Sequence, residues 1–206
     1  SLRRRQRQMC IRDSSYAMHI CEVGEKMGYD WERSPLRVGL FGGEPCPPGL
    51  KAEIERRMHI VCTDNYGLTE VMGPGVSGEC LAERYQQHIA EDHFLWEVID
   101  PETGEPVGDG EMGELVLTPL CKQGIPVLRY RTHDLTAVHT EPCACGRTLA
   151  RMDKVRSRSD DMLIIRGTNV FPSQIEDVLT GIEEVTPHYH IIAVSYTHLT
   201  LPTTER

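Results

Sequence analysis

The chain has 206 residues, 39% of them hydrophobic, which is enough for one or two domains with a sizeable core. Its 31 acidic and 22 basic side chains leave a formal charge of −9, whereas a nucleic-acid binder presents a basic face. The longest apolar runs, at 162–165 and 191–194, are far too short to span a bilayer, and no apolar segment follows the basic start as a signal peptide requires.

Eight cysteines are spread through ordinary core-like sequence. That spacing favours a reducing, cytoplasmic setting, where a cysteine cluster is read as metal before disulfide. Both ends look foreign. Residues 1–14 are Arg-rich without periodicity, and residues 195–206 interrupt a strand in mid-element. Both resemble translated adapter or cloning sequence and are set aside from fold reasoning.

In chain order, 15–28 places Tyr16, Ala17, Ile20, Val23 and Met27 near a 3.6 period, predicting a helix that Gly28 stops. A strand at 36–41 ends in Gly42-Gly43-Glu44-Pro45. A glycine pair at the C-terminal end of a strand is where an open α/β sheet keeps its ligand crevice, although it is equally a tight turn. A helix at 48–58 and a strand at 60–62 follow, and this alternation predicts a parallel sheet.

The next stretch, Asp64-Asn65-Tyr66-Gly67-Leu68-Thr69-Glu70 with glycines at 73 and 75, reads as a loop. It brings together a ring face for a base, a hydroxyl for a phosphate oxygen and a hard carboxylate for magnesium. A polar strand-to-loop turn is the plainer reading of these residues taken alone.

Beyond residue 75 the character changes. Strands at 94–100, 114–120, 125–131 and 135–140, with a Gly/Pro/Asp-rich turn region at 101–113, predict an antiparallel barrel or sandwich. Asp134, at a strand end, has two acceptor oxygens suited to paired sugar hydroxyls, or it is a turn-forming aspartate. Cys143 and Cys145 need two further ligands for a closed tetrahedral zinc site. Cys80 and His88 supply them, with His93 the competing histidine. A charged stretch from 156, a strand at 162–165, a helix from Pro172 and a strand at 185–194 begin a small α/β unit.

The motifs DNYGLTEVMGPGVS (64–77), EDHF (91–94), EVIDP (97–101), GELVLT (113–118), YRTHD (130–134), CACGRT (143–148) and DDMLIIRGTNVFPSQIE (160–176) follow in order. Together they closely resemble the phenylacetate–CoA ligase family of the adenylate-forming, acyl-CoA synthetase superfamily. The resemblance implies an α/β class and a partial adenylate-forming fold. Residues 15–93 would be part of an α/β AMP-binding domain, 94–156 a distorted β-barrel, 157–160 a hinge, and 161–194 a truncated α+β C-terminal domain.

The implied activity is that of an acid–thiol ligase of phenylacetate catabolism. A carboxylate attacks the ATP α-phosphate, and CoA then displaces AMP, a cycle in which positioning and charge neutralisation carry the first step. Carried over, Tyr66 packs on adenine beside Gly42, Gly43, Glu44, Asn65 and Gly67. Thr69 bonds the α-phosphate, Glu70 holds Mg2+ and Asp134 takes the ribose hydroxyls. Arg158 reaches the phosphates or ribose, Asp160 is the hinge, and Thr168, Asn169 and Val170 approach the CoA tunnel. ATP or AMP, Mg2+, coenzyme A and a structural Zn2+ are the implied cofactors. The implied partners are small molecules, with no nucleic acid or membrane, and a homodimer is left open.

Departures from the family pattern are Cys46 in place of a Trp and Ser157 in place of a Gly. The family's phosphate loop and C-terminal lysine are missing. The expectation is an internal fragment that does not turn over. The alternatives are a ligase for another aryl acid, of benzoate or anthranilate type, or a non-catalytic zinc-stabilised nucleotide-binding module.

Overall fold

The computed structural model describes residues 14–43, 46, 48–155, 157–160, 163–165, 168–170, 175, 178–179, 182, 192–195 and 198–200. Helix α1 (Ser14–Lys26) turns Ala17 and Cys21, one turn apart, into the core. It ends as the sequence predicts. Gly28 takes φ +70°, and Gly28 N–H and Tyr29 N–H donate to Glu25 O (3.0 Å) and Gly24 O (2.8 Å), satisfying carbonyls that the last turn leaves open.

Strand β1 (Val38–Phe41) and strand β2 (Val61–Leu68) run parallel and are joined by helix α2 (Pro48–Met58). The pairing Phe41↔Asp64 sets the register, and Phe41, Ile54, Met58, Ile60 and Cys62 close a core with α1. The other side of this pair leaves Val38, Leu40 and Val61 exposed.

The predicted loop at 64–75 is corrected. Strand β2 continues through Tyr66 and Gly67, turns at 69–71, and returns as β3 (Met72–Glu79), with a register irregularity between Tyr66 and Leu68. Buried Val71 anchors the turn. Strand β4 (Gln86–Ile89) pairs with β3. The sheet is completed by β9 (Arg151–Asp153) and β8 (Val138–His139), in the order β1-β2-β3-β4-β9-β8. Strands from both sides of residue 93 therefore share one sheet.

A second sheet has the order β10-β7-β6-β5, from β5 (Phe94–Ile99), β6 (Gly113–Pro119), β7 (Tyr130–Thr136) and β10 (Ser157–Arg158). The strands expected to form a barrel make this open sheet, and among the described residues no barrel closes. The strand predicted at 125–131 starts only at Tyr130, because Ile125 and Arg129 take positive φ and Ile125 and Leu128 point into solvent. Asp134 therefore lies inside β7, not at a strand end. The two sheets share one core: Val76, Ile89 and Met152 from the first pack with Phe94, Leu115 and Leu117 from the second.

Further on, β11 (Leu163–Ile165) pairs with β12 (Thr168–Val170), and β13 (Ile192–Ser195) pairs with β14 (His198–Thr200). Of the helix predicted from Pro172, Ile175, Val178 and Leu179 are described and helical; most of the 185–194 strand, residues 1–13 and, beyond 195, all but 198–200 lie outside the described residues. Among the described residues, no helix is long and apolar enough to cross a membrane.

Beneath the β2–β3 pair, four charges gather: Lys51, Asp64 and Glu79 are withdrawn from water and Lys154 is partly exposed. Lys51 of α2 binds Glu79, with Asp64 3.7 Å away, and Lys154 binds Asp64 and lies 3.2 Å from Glu79. Asp64 N–H also donates to Glu79 at 3.0 Å. Burial alone would pull the Lys154 ammonium down in pKa, but Asp64 and Glu79 more than offset it and hold it above the usual lysine range. Lys154→Met leaves one ammonium facing two buried carboxylates and is expected to cost about 3–5 kcal/mol. Urea denaturation measures this, and an unchanged midpoint would mean that water already screens the four charges.

Candidate nucleotide-binding site

The site is built where β2, β7 and β10 meet. Antiparallel pairing puts Arg158 directly across from Asp134, so guanidinium and carboxylate become cross-strand neighbours at 3.4 Å. From the first sheet, Tyr66 reaches over and its phenol donates to Asp134 Oδ2 at 2.6 Å. Arg158 also grips Asp160 with two parallel bonds of 2.9 and 2.8 Å. Asp160 is thereby held below the ordinary carboxylate range, mainly by the Arg158 hydrogen bonds.

Asp134 titrates in the opposite direction. Burial pushes its carboxyl up, and the bonds from Tyr66 and Arg158 offset only part of that. The Tyr66 phenol is pushed up as well, by burial first and then by the neighbouring carboxylate. The cluster therefore holds an acceptor group that its surroundings leave under-stabilised as an anion. Additional donors, such as a pair of hydroxyls, would complete it.

At the end of β1, a Cβ on Gly42 would lie 2.7 Å from the Asn65 carbonyl oxygen, so only glycine lets the two strand ends approach this closely. Gly43 follows at φ +90°. Gly42 and Gly43 thus leave the carboxyl end of β1 beside Asn65, Tyr66 and Gly67, the part of β2 just past the parallel pairing. Thr69 and Glu70 lie on the exposed β2–β3 turn. Their side chains make no hydrogen bond among the described residues, while Lys122 donates to the Glu70 carbonyl from the β6–β7 loop. Glu44 lies outside the described residues, as do the side chains of Thr168 and Asn169. Val170 closes β12.

Three residues at this site were missed by the sequence reading. Glu114 is fully buried and held below the ordinary carboxylate range. Burial raises it, but a bidentate Arg131 (3.0 and 2.6 Å) outweighs that. The available signal was a single acid at the head of the apolar run Leu115-Val116-Leu117. His133 and Lys122 offered only proximity to Asp134 and to the loop.

Cys80, His88, Cys143 and Cys145 form a second cluster, with one donor atom from each lying within 4.8 Å of all the others. Cys80 Sγ and Cys143 Sγ are 3.7 Å apart, and Cys145 Sγ is 3.4 Å from His88 Nε2. Thiolates around tetrahedral zinc stand ~3.8 Å apart, so the donor set fits that ion. Cys145 is lowered to about 6, first by the Arg147 main-chain N–H, and His88 Nδ1 is buried without a partner. His93 lies outside the cluster and pairs with Asp92 at 3.6 Å.

Among solved structures, an open conformation of 2-hydroxyisobutyryl-CoA ligase in complex with 2-HIB-AMP and CoA superposes with a TM-score of 0.78 at 28% identity, over 94% of this chain and 45% of that one. The fold is therefore that of the adenylate-forming enzymes. The AMP-binding enzyme family model matches residues 8–119, and the model of the AMP-binding enzyme C-terminal domain matches 167–199. The chain belongs to the AMP-binding enzyme family.

The phenylacetate-coenzyme A ligase of Thermus thermophilus is 48% identical over 178 residues, 86% of this chain and 40% of that protein. The Escherichia coli phenylacetate-coenzyme A ligase is 48% identical over 187 residues, 90% of this chain and 42% of that protein. The chain thus spans about two-fifths of the length of these relatives.

Asp134→Asn gives a pH-dependent test. A carboxyl raised above 3.8 on folding favours the fold fully below that value, and the gain is lost as pH rises through the raised pKa. At neutral pH the ionised group therefore sits on the costly side. The asparagine variant is expected to melt higher than wild type at pH 7, with the difference closing toward pH 4. A variant that melts lower at pH 7 would show that the Arg158 and Tyr66 bonds outweigh the burial.

Proposed function

We propose that the chain is part of an ATP-dependent phenylacetate–CoA ligase of phenylacetate catabolism, acting in the cytoplasm. The observation that carries this reading is the Tyr66–Asp134–Arg158 cluster beside the Gly42–Gly43 strand end, in a chain nearly half identical to phenylacetate-coenzyme A ligases.

In this reading the Tyr66 ring faces adenine, and Asp134 exchanges the Tyr66 phenol for the ribose hydroxyls. Arg158, released from Asp160, turns to the phosphate, and the free Thr69 hydroxyl donates to an α-phosphate oxygen. Glu70, exposed and without a side-chain partner among the described residues, is the group that would hold magnesium. The ion would supply neutralisation of polyphosphate charge. A carboxylate oxygen then attacks the α-phosphorus and pyrophosphate leaves. The CoA thiolate displaces AMP from the acyl carbon in the second half. Thr168–Val170 would approach the thiol, and 157–160 would be the pivot between domains divided at residues 93 and 156.

The test has two parts. AMP binding to this chain, followed by calorimetry, is expected to weaken about tenfold or more in Asp134→Ala, which removes a charged acceptor. Phenylacetate-dependent pyrophosphate exchange by a full-length protein carrying this segment should fall at least about a hundredfold in Glu70→Gln if that carboxylate holds the metal. Equal exchange with benzoate or anthranilate would transfer the substrate assignment to those acids, and no AMP binding by the wild-type chain would overturn the reading.

Cys80, His88, Cys143 and Cys145 would hold a structural zinc, since four protein donors leave no open position for chemistry. Purified chain is expected to carry one zinc per molecule by elemental analysis, and Cys145→Ser to lower that occupancy. A stoichiometry unchanged by that substitution would remove Cys145 from the ligand set.

A further inference from the structure

His133 lies between Thr132 and Asp134 with φ +64°, a left-handed backbone in which a residue with a Cβ is uncommon. Such conformations persist where the surroundings over-determine them. Here both ends of the residue are held. Its main-chain N–H donates to Glu114 Oε1 at 3.3 Å, and its carbonyl accepts the Ser159 N–H at 2.7 Å. The ring adds a second grip on the same partner, with Nδ1 3.2 Å from Ser159 Oγ and 3.5 Å from Glu114 Oε1. Ser159 Oγ also reaches Glu114 Oε2 at 3.4 Å. Since Glu114 is fully buried and locked by Arg131, the anchor beneath His133 is rigid.

Ser159 sits between Arg158, which faces Asp134, and Asp160, which Arg158 also binds. Whatever fixes Ser159 therefore fixes the root of the Arg158 side chain. We propose that His133 is a positioning residue whose imidazole clamps Ser159 to Glu114, holding Arg158 over Asp134. The inference rests on reading Tyr66, Asp134 and Arg158 as a nucleotide site. A plain β-contact would need no ring here, and the left-handed backbone would suit glycine better. Asparagine also accepts this backbone and keeps a donor.

The experiment compares wild type, His133→Gly and His133→Asn in the whole chain. It uses amide hydrogen exchange at Ser159, AMP titration, and thermal melts to confirm that each variant folds. Loss of one hydrogen-bonded grip is expected to speed Ser159 exchange and weaken AMP binding in His133→Gly by about fivefold each. Asparagine should restore both to within about twofold. Unchanged Ser159 exchange in the glycine variant would overturn the clamp. Faster exchange with unchanged AMP affinity would overturn its positioning role. Faster exchange in a chain that binds no AMP even as wild type would support the clamp while removing the nucleotide reading beneath it.

Discussion

Two carboxylates and a lysine buried under the β2–β3 pair, with the partly exposed Lys154 closing the cluster, are the constraint on which the site depends. Asp64 and Glu79 face each other across that pair, and Lys51 and Lys154 pair with both of them. Lys51 arrives from α2, and Lys154 from the segment between β9 and β10. The four charges therefore tie a helix, a hairpin and the approach to Arg158 into one body. Asp64 occupies the position before Asn65 and Tyr66, so the same contacts set where the aromatic ring begins its reach toward Asp134. The balance of two positive and two negative groups makes the cost of burial tolerable, and geometry is what the arrangement contributes.

Much of this was legible in the sequence, because the helices and the first strand follow simple periodicity. The α1 stop at Gly28 and the α2 span were readable from glycine, proline and apolar spacing. The hairpin at 61–79 was not. Its glycines and polar residues look like loop, and only the antiparallel partner Ser77–Glu79 supplies the hydrogen bonds that make Asn65 and Tyr66 a strand. Strand β7 was misplaced for a related reason. Ile125 and Leu128 are β-formers in composition, yet left-handed backbone at Ile125 and Arg129 keeps them in a loop. Pairing partners distant in sequence decide such segments, and local pattern carries little of that information.

For the site, chemistry was easier to read than geometry. Tyr66, Asp134 and Arg158 were grouped in advance, and the structure brings all three into contact. Cys80, His88, Cys143 and Cys145 likewise converge, with His88 buried on β4 and His93 outside the cluster, paired with Asp92. Thr69 and Glu70, three and four residues on from Tyr66, lie on the exposed turn that joins β2 to β3. Of the residues that went unread, Glu114 is marked only as a lone acid at the head of an apolar run, and His133 and Lys122 only by their proximity to Asp134 and to the loop.

The cysteine–histidine cluster has one more consequence. Cys80 and Cys143 are 63 residues apart, and strands β5, β6 and β7 all lie between them. An ion shared by the two ends would close that whole stretch into a ring. Ring closure of that length removes denatured-state entropy worth on the order of 4 kcal/mol. A metal held there would then bear on how firmly the second sheet holds as well as the first.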